Sequence, residues 1–538
     1  MTTVVNPIQF PCGEAHALAL AQDERCAELT RKWVMLACIF ASSLAFIDGT
    51  VVNVALPELQ KIFSTTVSRV QWVLESYQLL SSALLLVGGA LGDHYGRRRA
   101  LGTGVLIFVA ASIWCGLAPT INQLIVARAV EGVGAALIIP TSLSMLASAY
   151  PPELRGGAIG SWAAWTGLCA ALGPVAGGWL IEHASWRLIF FLNVPVGAAV
   201  LLLLTRIPES RAVKEGDRSQ LDWLGAALIT LSLTAIVLGL LDGPVLDWSS
   251  RRVVAALVAG GVLLVAFLRV EATRPNAMMP LRLFHSKEFT AANILTFFLY
   301  ASLGGSLFFL PFYLIQIKHF SATAAGASFL PFIALMFLFS ARVGKLMSRT
   351  GARLLLVVGA VTAGCGFALF GLLMTQPGYV RGVLPAVLML GIGMTLSVAP
   401  LTATVMNSVP QEENGVASGV NNALSRVAGL LAVAVLGAVL QGTFSKKLSA
   451  ELNSSTLNEA QRAQLYAQRN KLNEARLVSA SVDAQTEAKR ALNAAFIAGF
   501  RRVMDISAAE CVAGAIVVAL MIRRGSGAPR RVSGAASV

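Results

Sequence analysis

Charge is scarce along this chain of 538 residues: 13% are Asp, Glu, Lys or Arg against 56% hydrophobic, and the mean hydropathy is +0.70. That balance excludes a water-soluble protein of this size. The seven Cys, at 12, 26, 38, 115, 169, 365 and 511, show no paired spacing, and five of them lie inside apolar runs where they act as small hydrophobes. Neither a disulfide nor a metal site is expected, because the five His (16, 94, 183, 285, 319) also lack ligand spacing. No G-x-x-x-x-G-K-[ST] loop occurs, which removes ATP as the energy source and leaves an ion gradient, with no cofactor. A membrane enzyme would need a nucleophile–base set, and a membrane sensor a soluble signalling domain; neither is found, so the expected class is not an enzyme. The first 32 residues show no apolar stretch followed by a small-residue cleavage site, so no signal peptide is expected. The net charge of +14 sits in short loops and reads as a topology signal, not as a nucleic-acid surface.

What the chain has in quantity is apolar runs, each long enough to cross about 30 Å of hydrocarbon as a helix. They fall at 33–56, 71–92, 101–118, 123–148, 157–181, 187–206, 223–242, 251–270, 289–314, 323–345, 353–375, 382–408, 415–441 and 503–522. Lipid cannot satisfy a free strand edge, so the fold class is all-α integral membrane, with 14 transmembrane helices. An even number puts both termini on one side. With the N-terminus inside, the inner segments before the last two spans hold about 18 Lys and Arg and the outer loops about 7, so both termini are expected in the cytoplasm. The one long polar stretch, 443–500, then lies outside. It is rich in helix formers, and Thr456 with Glu459 reads as a capping box opening a helix. It is expected to form an extracytoplasmic helical hairpin, either a solvated excursion or a docking or gating element for an envelope partner.

An internal echo organises the spans. Gly89-Ala-Leu91-Gly-Asp93-His-Tyr-Gly96-Arg97-Arg98 after the second span recurs, weakened, as Gly344-Lys-Leu346-Met-Ser348-Arg-Thr-Gly351-Ala-Arg353 after the tenth. Both copies fall on the same side, so the two halves share one orientation, the parallel repeat of a transporter that rocks about a central site. The expected organisation is a cytoplasmic tail (1–32), a six-helix half (33–206), an inserted helix pair (223–270), a second six-helix half (289–522, including the 443–500 hairpin) and a cytoplasmic tail (523–538). In the first copy, Gly89 and Gly96 permit close helix approach and a tight turn, while Asp93 can accept hydrogen bonds from a helix N-terminus or pair with an Arg. Such a latch, made in one state and broken in another, is a conformational gate. Anchoring on the inner side needs only Arg97 and Arg98. Ser348 replaces the acid in the second copy, so the latch is expected to be one-sided.

This segment resembles the signature between helices 2 and 3 of the major facilitator superfamily, G-x-L-x-D-x-x-G-R-[RK]. Other stretches extend the likeness. Arg128-Ala-Val-Glu131-Gly132 resembles that family's helix 4 motif R-x-x-Q-G, with Glu in place of Gln. An Arg inside a membrane must face a cavity or a partner. Arg128 and Glu131 share a helix face, so Glu131 either balances Arg128 or carries a proton. Gly173-Pro174-Val-Ala-Gly177-Gly178, with Gly160 and Gly167 before it, resembles the helix 5 motif of the family's antiporters. Small residues let helices meet at their backbones and Pro bends the helix, so Gly167, Gly173, Pro174, Gly177 and Gly178 serve as a hinge or as plain packing.

Span 1 offers Phe46-Ile-Asp48-Gly-Thr50-Val-Val-Asn53, similar to the helix 1 pattern of drug:proton antiporters. Asp48 lies deep in an apolar run, where it can be protonated reversibly or hydrogen-bond to Thr50 or Asn53. Glu75, a few residues into span 2, is either a second such acid or an interface residue reaching for water. Trp186-Arg187 through Asn193 and Pro195, Leu221-Asp222-Trp-Leu-Gly225, and Gly415 to Gly419 with Asn421 and Arg426 narrow the resemblance to the fourteen-helix drug:proton antiporters. Asp505 and Glu510, near the start of the last span, take no assigned role.

The resemblance implies a proton-coupled antiporter of a bacterial inner membrane that exports small amphipathic compounds by alternating access. Asp48, Glu75, Arg128 and Glu131 are its candidates for proton coupling and substrate binding. Lipophilic compounds, cations among them, would suit a cavity of acids and aromatic residues. A dedicated exporter of one endogenous metabolite or siderophore is the alternative.

Overall fold

The computed structural model describes residues 24–209, 222–274, 279–409, 414–477 and 481–522. Residues 523–538 and most of the N-terminal tail lie outside the described residues. All regular structure among the described residues is helical, as the absence of water in a bilayer core requires.

The first stretch runs α1 (Glu24–Ile62), α2 (Val67–Ala83), α3 (Leu85–Tyr95), α4 (Arg97–Leu117), α5 (Ile121–Ala149), α6 (Pro152–His183), α7 (Leu188–Phe191) and α8 (Asn193–Leu204). The inserted pair follows as α9 (Trp223–Leu246) and α10 (Arg251–Thr273). Next come α11 (Lys287–Phe312), a π-helical turn at Tyr313–Ile317, α12 (Ala322–Ala327), α13 (Leu330–Thr350), α14 (Ala352–Leu373) and α15 (Leu384–Asn407). The chain ends with α16 (Asn414–Asn453), α17 (Glu459–Ala467) and α18 (Val482–Met521).

Each of the predicted spans falls on helix, but only 12 helices among the described residues are by themselves long and apolar enough to cross a membrane. The other two spans are interrupted. Span 71–92 is divided into α2 and α3 at Leu84, and span 187–206 into α7 and α8. Pro195 accounts for the second break, since it lacks the N–H that would bond to the Phe191 carbonyl one turn back.

Two compact units form. The first comprises Met1–Met278, Leu307–Ala327 and Phe444–Ala495. Its core interleaves Leu44, Leu101, Val105, Phe108, Ile138, Leu146 and Val200 from α1, α4, α5 and α8. Within it α9 and α10 pack closely, Ser232 Oγ donating to the Gly260 carbonyl at 2.8 Å, and Ser68 Oγ of α2 donates to the Leu241 carbonyl of α9 at 3.3 Å. The second unit comprises Met279–Ser306, Ser328–Thr443 and Phe496–Val538. Polar stitches hold its helices: Asn421 Nδ2 donates to Asn293 Oδ1 (3.1 Å) and Thr296 Oγ1 (2.7 Å), and Ser302 Oγ reaches the Ser507 carbonyl (3.0 Å) and Glu510 (2.9 Å). Residues 307–327 and 444–495, sequence neighbours of the second unit, group with the first.

Helices carry most of the 443–500 stretch. α16 runs on from its span to Asn453, and α18 starts at Val482, well before its span, so two 40-residue helices carry the excursion. The capping box also shifts. Asn458 and Gln461 form it at the start of α17, while the Thr456 amide and hydroxyl bond to the Glu487 carboxylate of the returning helix. A tertiary partner has claimed Thr456, and Asn is at least as good an N-cap.

The echo seen in sequence is an echo of backbone. Gly96 joins α3 to α4 at φ 110°, and Gly351 joins α13 to α14 at φ 80°, a region open to glycine and costly to other residues.

Candidate functional site

Arg128 sits two turns into α5, where Gly132 on the same helix lets α5 approach α2 to backbone contact. A Cβ on Gly132 would lie 2.5 Å from the Tyr77 carbonyl oxygen. That closeness brings the guanidinium against α2: Nε donates to the Val73 carbonyl at 3.2 Å, and the guanidinium carbon lies 4.2 Å from the centre of the Tyr77 ring. Phe190 flanks it at 5.9 Å. The Tyr77 hydroxyl is anchored to the Ala45 carbonyl of α1 at 3.0 Å.

Two carboxyl groups share one nitrogen of this guanidinium. Nη1 donates to Asp48 Oδ2 at 2.5 Å and to Glu131 Oε2 at 2.7 Å. Cys115 Sγ adds a contact of 3.5 Å to the same Glu131 oxygen. Arg128, Asp48 and Glu131 have no exposure at all. Asp48 Oδ1, Glu131 Oε1 and Arg128 Nη2 are buried without a hydrogen-bond partner among the described residues. Beside the cluster, Asn193 Nδ2 donates to Ser112 Oγ (2.9 Å), which donates to the Phe190 carbonyl (2.9 Å). The local alternative for Asp48 does not occur: Thr50 Oγ1 bonds to the Phe46, Ile47 and Ala170 carbonyls, and Asn53 to the Gly49 carbonyl.

Glu75 is not brought to this cluster. Val73 and Tyr77 turn toward Arg128, and the residue between them faces the other way on a helix. Glu75 is two turns from Ser68, which bonds to α9, so it lies on the face toward the inserted pair. It does not reach for water. The side chain is fully buried, and both carboxyl oxygens lack a hydrogen-bond partner among the described residues.

At the end of α3 the loop motif makes the turn for which its glycines are suited. Gly89 faces Pro140 of α5, and Gly96 takes positive φ. Arg97 and Arg98 open α4, placing positive charge at a helix end whose dipole is also positive. The offsetting group is Glu209, which the sequence reading missed. Its Oε1 accepts from the Arg98 amide at 2.9 Å and its Oε2 from the Arg99 amide at 3.2 Å, with the Arg99 side chain 3.7 Å away. A Cβ on Gly96 would stand 2.6 Å from Glu209 Oε1. Asp93 lies in α3 just before the turn, with its side chain outside the described set. Glu209 is far from the motif in sequence, and only an acid following a span, Ile207-Pro208-Glu209, marks it.

In α6 the predicted hinge residues divide. Gly173 and Gly177 face α1, where a Cβ would lie 2.3 Å from Thr50 Oγ1 and from Val51 Cγ2. Gly178 faces the Ala322 carbonyl oxygen at 2.4 Å, and the Pro174 carbonyl oxygen stands 2.1 Å from a Cβ placed on Gly326 of α12. Gly167 is exposed, with nothing within 4 Å of its Cβ position among the described residues.

Residues 38–433 match the family model of the Major Facilitator Superfamily. The Multidrug resistance protein Stp of Mycobacterium tuberculosis is 33% identical over 78% of this chain and 78% of its own length. The Tetracenomycin C resistance and export protein of Streptomyces glaucescens is 30% identical over 76% of each. Among solved structures, a bacterial homologue of the human lysosomal transporter Spinster, inward-facing and occupied, superimposes with a TM-score of 0.61 over 92% of this chain and 97% of that one, at 19% identity. The chain therefore belongs to the major facilitator superfamily, among its multidrug and antibiotic efflux transporters.

Proposed function

We propose that this efflux transporter is driven by protons and that Asp48, Arg128 and Glu131 form its proton-loading site. The observation that carries the reading is one guanidinium nitrogen shared by two fully buried carboxyl groups. With both acids ionised the cluster would hold a net negative charge away from water, which is strongly unfavourable. One proton balances it. A lipophilic cation reaching the free oxygens of Asp48 or Glu131 would balance it equally well, so proton and substrate compete for the same charge. That competition is the requirement for antiport by alternating access.

The distribution of Lys and Arg supports cytoplasmic termini and hence an inner membrane in which the Gly96 turn faces the cytoplasm. Protons entering from outside would neutralise the cluster and release substrate, and proton loss toward the cytoplasm would restore it. An inward proton carries about 2.3 kcal/mol per 100 mV, enough for about a fifty-fold gradient of a neutral substrate, whereas exchange for a monovalent cation is electroneutral and draws on the pH gradient, about ten-fold per pH unit. Glu75, buried away from the cluster, would be neutral at rest and act as a second acceptor. Gly173, Pro174, Gly177 and Gly178 would serve as the contact along which α6 moves against α1 and α12, and the Gly89–Arg98 segment as the gate.

The test uses inverted membrane vesicles with an acid interior. Adding a lipophilic cation dissipates the pH gradient in the wild type and leaves it intact in Asp48→Asn. An Asp48→Asn protein that still exchanges protons removes Asp48 from the mechanism. An exporter of one compound is the competing reading, favoured by the relative named for tetracenomycin C. A knockout whose tolerance to every cationic biocide is unchanged would support it.

A further inference from the structure

At the end of α1 remote from the Gly96 turn lies a half-open cavity of about 740 Å³, lined by α1, the π-helical turn and the excursion that joins α16 to α18. Its size falls in the range of small-molecule sites, about 300–1,000 Å³. Its nearest lining residue on α1, Val54, is about 9 Å along the helix from Asp48. The cavity is therefore separate from the buried cluster.

Irregular backbone surrounds it. The turn at Tyr313–Ile317 is π-helical, a geometry concentrated at functional sites. His319 (φ 57°) and Leu472 (φ 50°) both hold a left-handed conformation that is costly for side chains of their size. Each neighbours or forms the lining: His319 directly, and Leu472 through Asn473. Three costly conformations thus converge on one space.

The lining carries charge of both signs, Lys61, Arg476 and Lys489 with Glu58 and Glu474, Arg476 standing 3.5 Å from Glu474 Oε2, and it holds amide oxygens left without donors among the described residues. Gln60, 1% exposed, donates to the Lys471 carbonyl at 2.8 Å, and its own oxygen receives Gln316 Nε2 at 3.5 Å. Gln316 Nε2 also reaches Glu474 Oε1 at 3.3 Å. Both partners of that nitrogen are acceptors, which fixes the amide so that its oxygen is left over. Gln316 Oε1 and Asn473 Oδ1, both on lining residues, are buried and without a donor among the described residues. Pro57, Ile181, Ile315 and Leu492 add apolar surface to the lining.

We infer that this cavity is a second small-molecule site, for an amphipathic compound that presents hydrogen-bond donors, such as an amine, to Gln316, Asn473 and Glu474. The site stands whether or not Asp48 couples protons. The test is equilibrium binding to the full chain in lipid nanodiscs with two lipophilic cations: ethidium, which carries two amino groups, and tetraphenylphosphonium, which carries no donor. Gln316→Leu and Asn473→Leu each weaken ethidium by about five-fold, the size expected for one lost hydrogen bond, and leave tetraphenylphosphonium unchanged. Unchanged ethidium affinity in both variants overturns the inference, the cavity then holding water only. If both probes weaken together, Lys489→Glu on the exposed rim decides: ethidium binding that tightens, and loosens again with salt, supports the site, and no change overturns it. Loss of the same ethidium component in Asp48→Asn overturns a separate site. Its retention there, with proton exchange still intact, leaves the cavity standing and removes only the coupling role of Asp48.

Discussion

Gly96→Ala and Gly351→Ala make a matched pair within one molecule, because both glycines join two helices at positive φ and, among the described residues, only Gly96 meets a carboxylate. Either alanine forces a side chain into a glycine region, at about 1–3 kcal/mol. Gly351 has nothing within 4 Å of its Cβ position among the described residues, so its cost ends there. At Gly96 the new methyl would sit 2.6 Å from Glu209 Oε1 and displace the carboxylate that accepts from the Arg98 and Arg99 amides. Losing such a helix cap costs a further ~1 kcal/mol, up to about 2 in a partly buried setting, and the Glu209 side chain is 14% exposed. Thermal unfolding of the purified transporter should place Gly96→Ala below Gly351→Ala by a few degrees, at roughly 2 °C per kcal/mol for units of this size. Glu209→Ala alone should lose the cap term. In the Glu209→Ala background, Gly96→Ala should cost no more than Gly351→Ala, a non-additivity expected of groups in contact. Equal costs for the two glycines in the wild-type background would refute the capping role of Glu209.

Other outcomes follow from the same contacts. Arg128→Lys should abolish drug-dependent proton exchange and lower stability, since an ammonium cannot reproduce the Val73 bond, the Tyr77 stack and both carboxyl contacts together; resistance assays and unfolding read the two effects. Glu75→Met should raise the unfolding temperature, because it replaces a buried acid lacking partners among the described residues with an apolar side chain, a change often worth about 1–3 kcal/mol; a fall would show that Glu75 has a structural partner. Gly178→Val should impair efflux in a drug-accumulation assay by pushing against the Ala322 carbonyl, whereas Gly167→Val should be tolerated.

Much of the fold was legible because lipid imposes a single simple rule: each span needs about twenty apolar residues and a closed set of backbone hydrogen bonds. The spans are therefore written in composition, and all the predicted ones fall on helix. Local chemistry was legible too. Gly96 and Gly351 announce positive φ by residue type, and an Arg within a span announces an acidic partner. Sequence spacing paired Arg128 with Glu131 one turn away, and that pair exists. It could not pair Arg128 with Asp48, 80 residues earlier, because what joins them is the contact of α1 with α5. Glu209, which caps the start of α4, was hidden for the same reason. The capping box was misplaced by two residues since Glu487, unseen from the local pattern, binds Thr456.

Composition and periodicity alone thus determined that the chain is an all-helical membrane protein with a repeated loop motif and a small set of intramembrane charges. Tertiary structure decided which charges meet, which glycines touch a neighbour, and that the excursion lines a polar cavity at the end of α1. The division has a physical cause. Burial in lipid acts on each residue separately and leaves its mark in the one-dimensional pattern, whereas hydrogen bonds and ion pairs depend on two residues whose distance only the packed helices set.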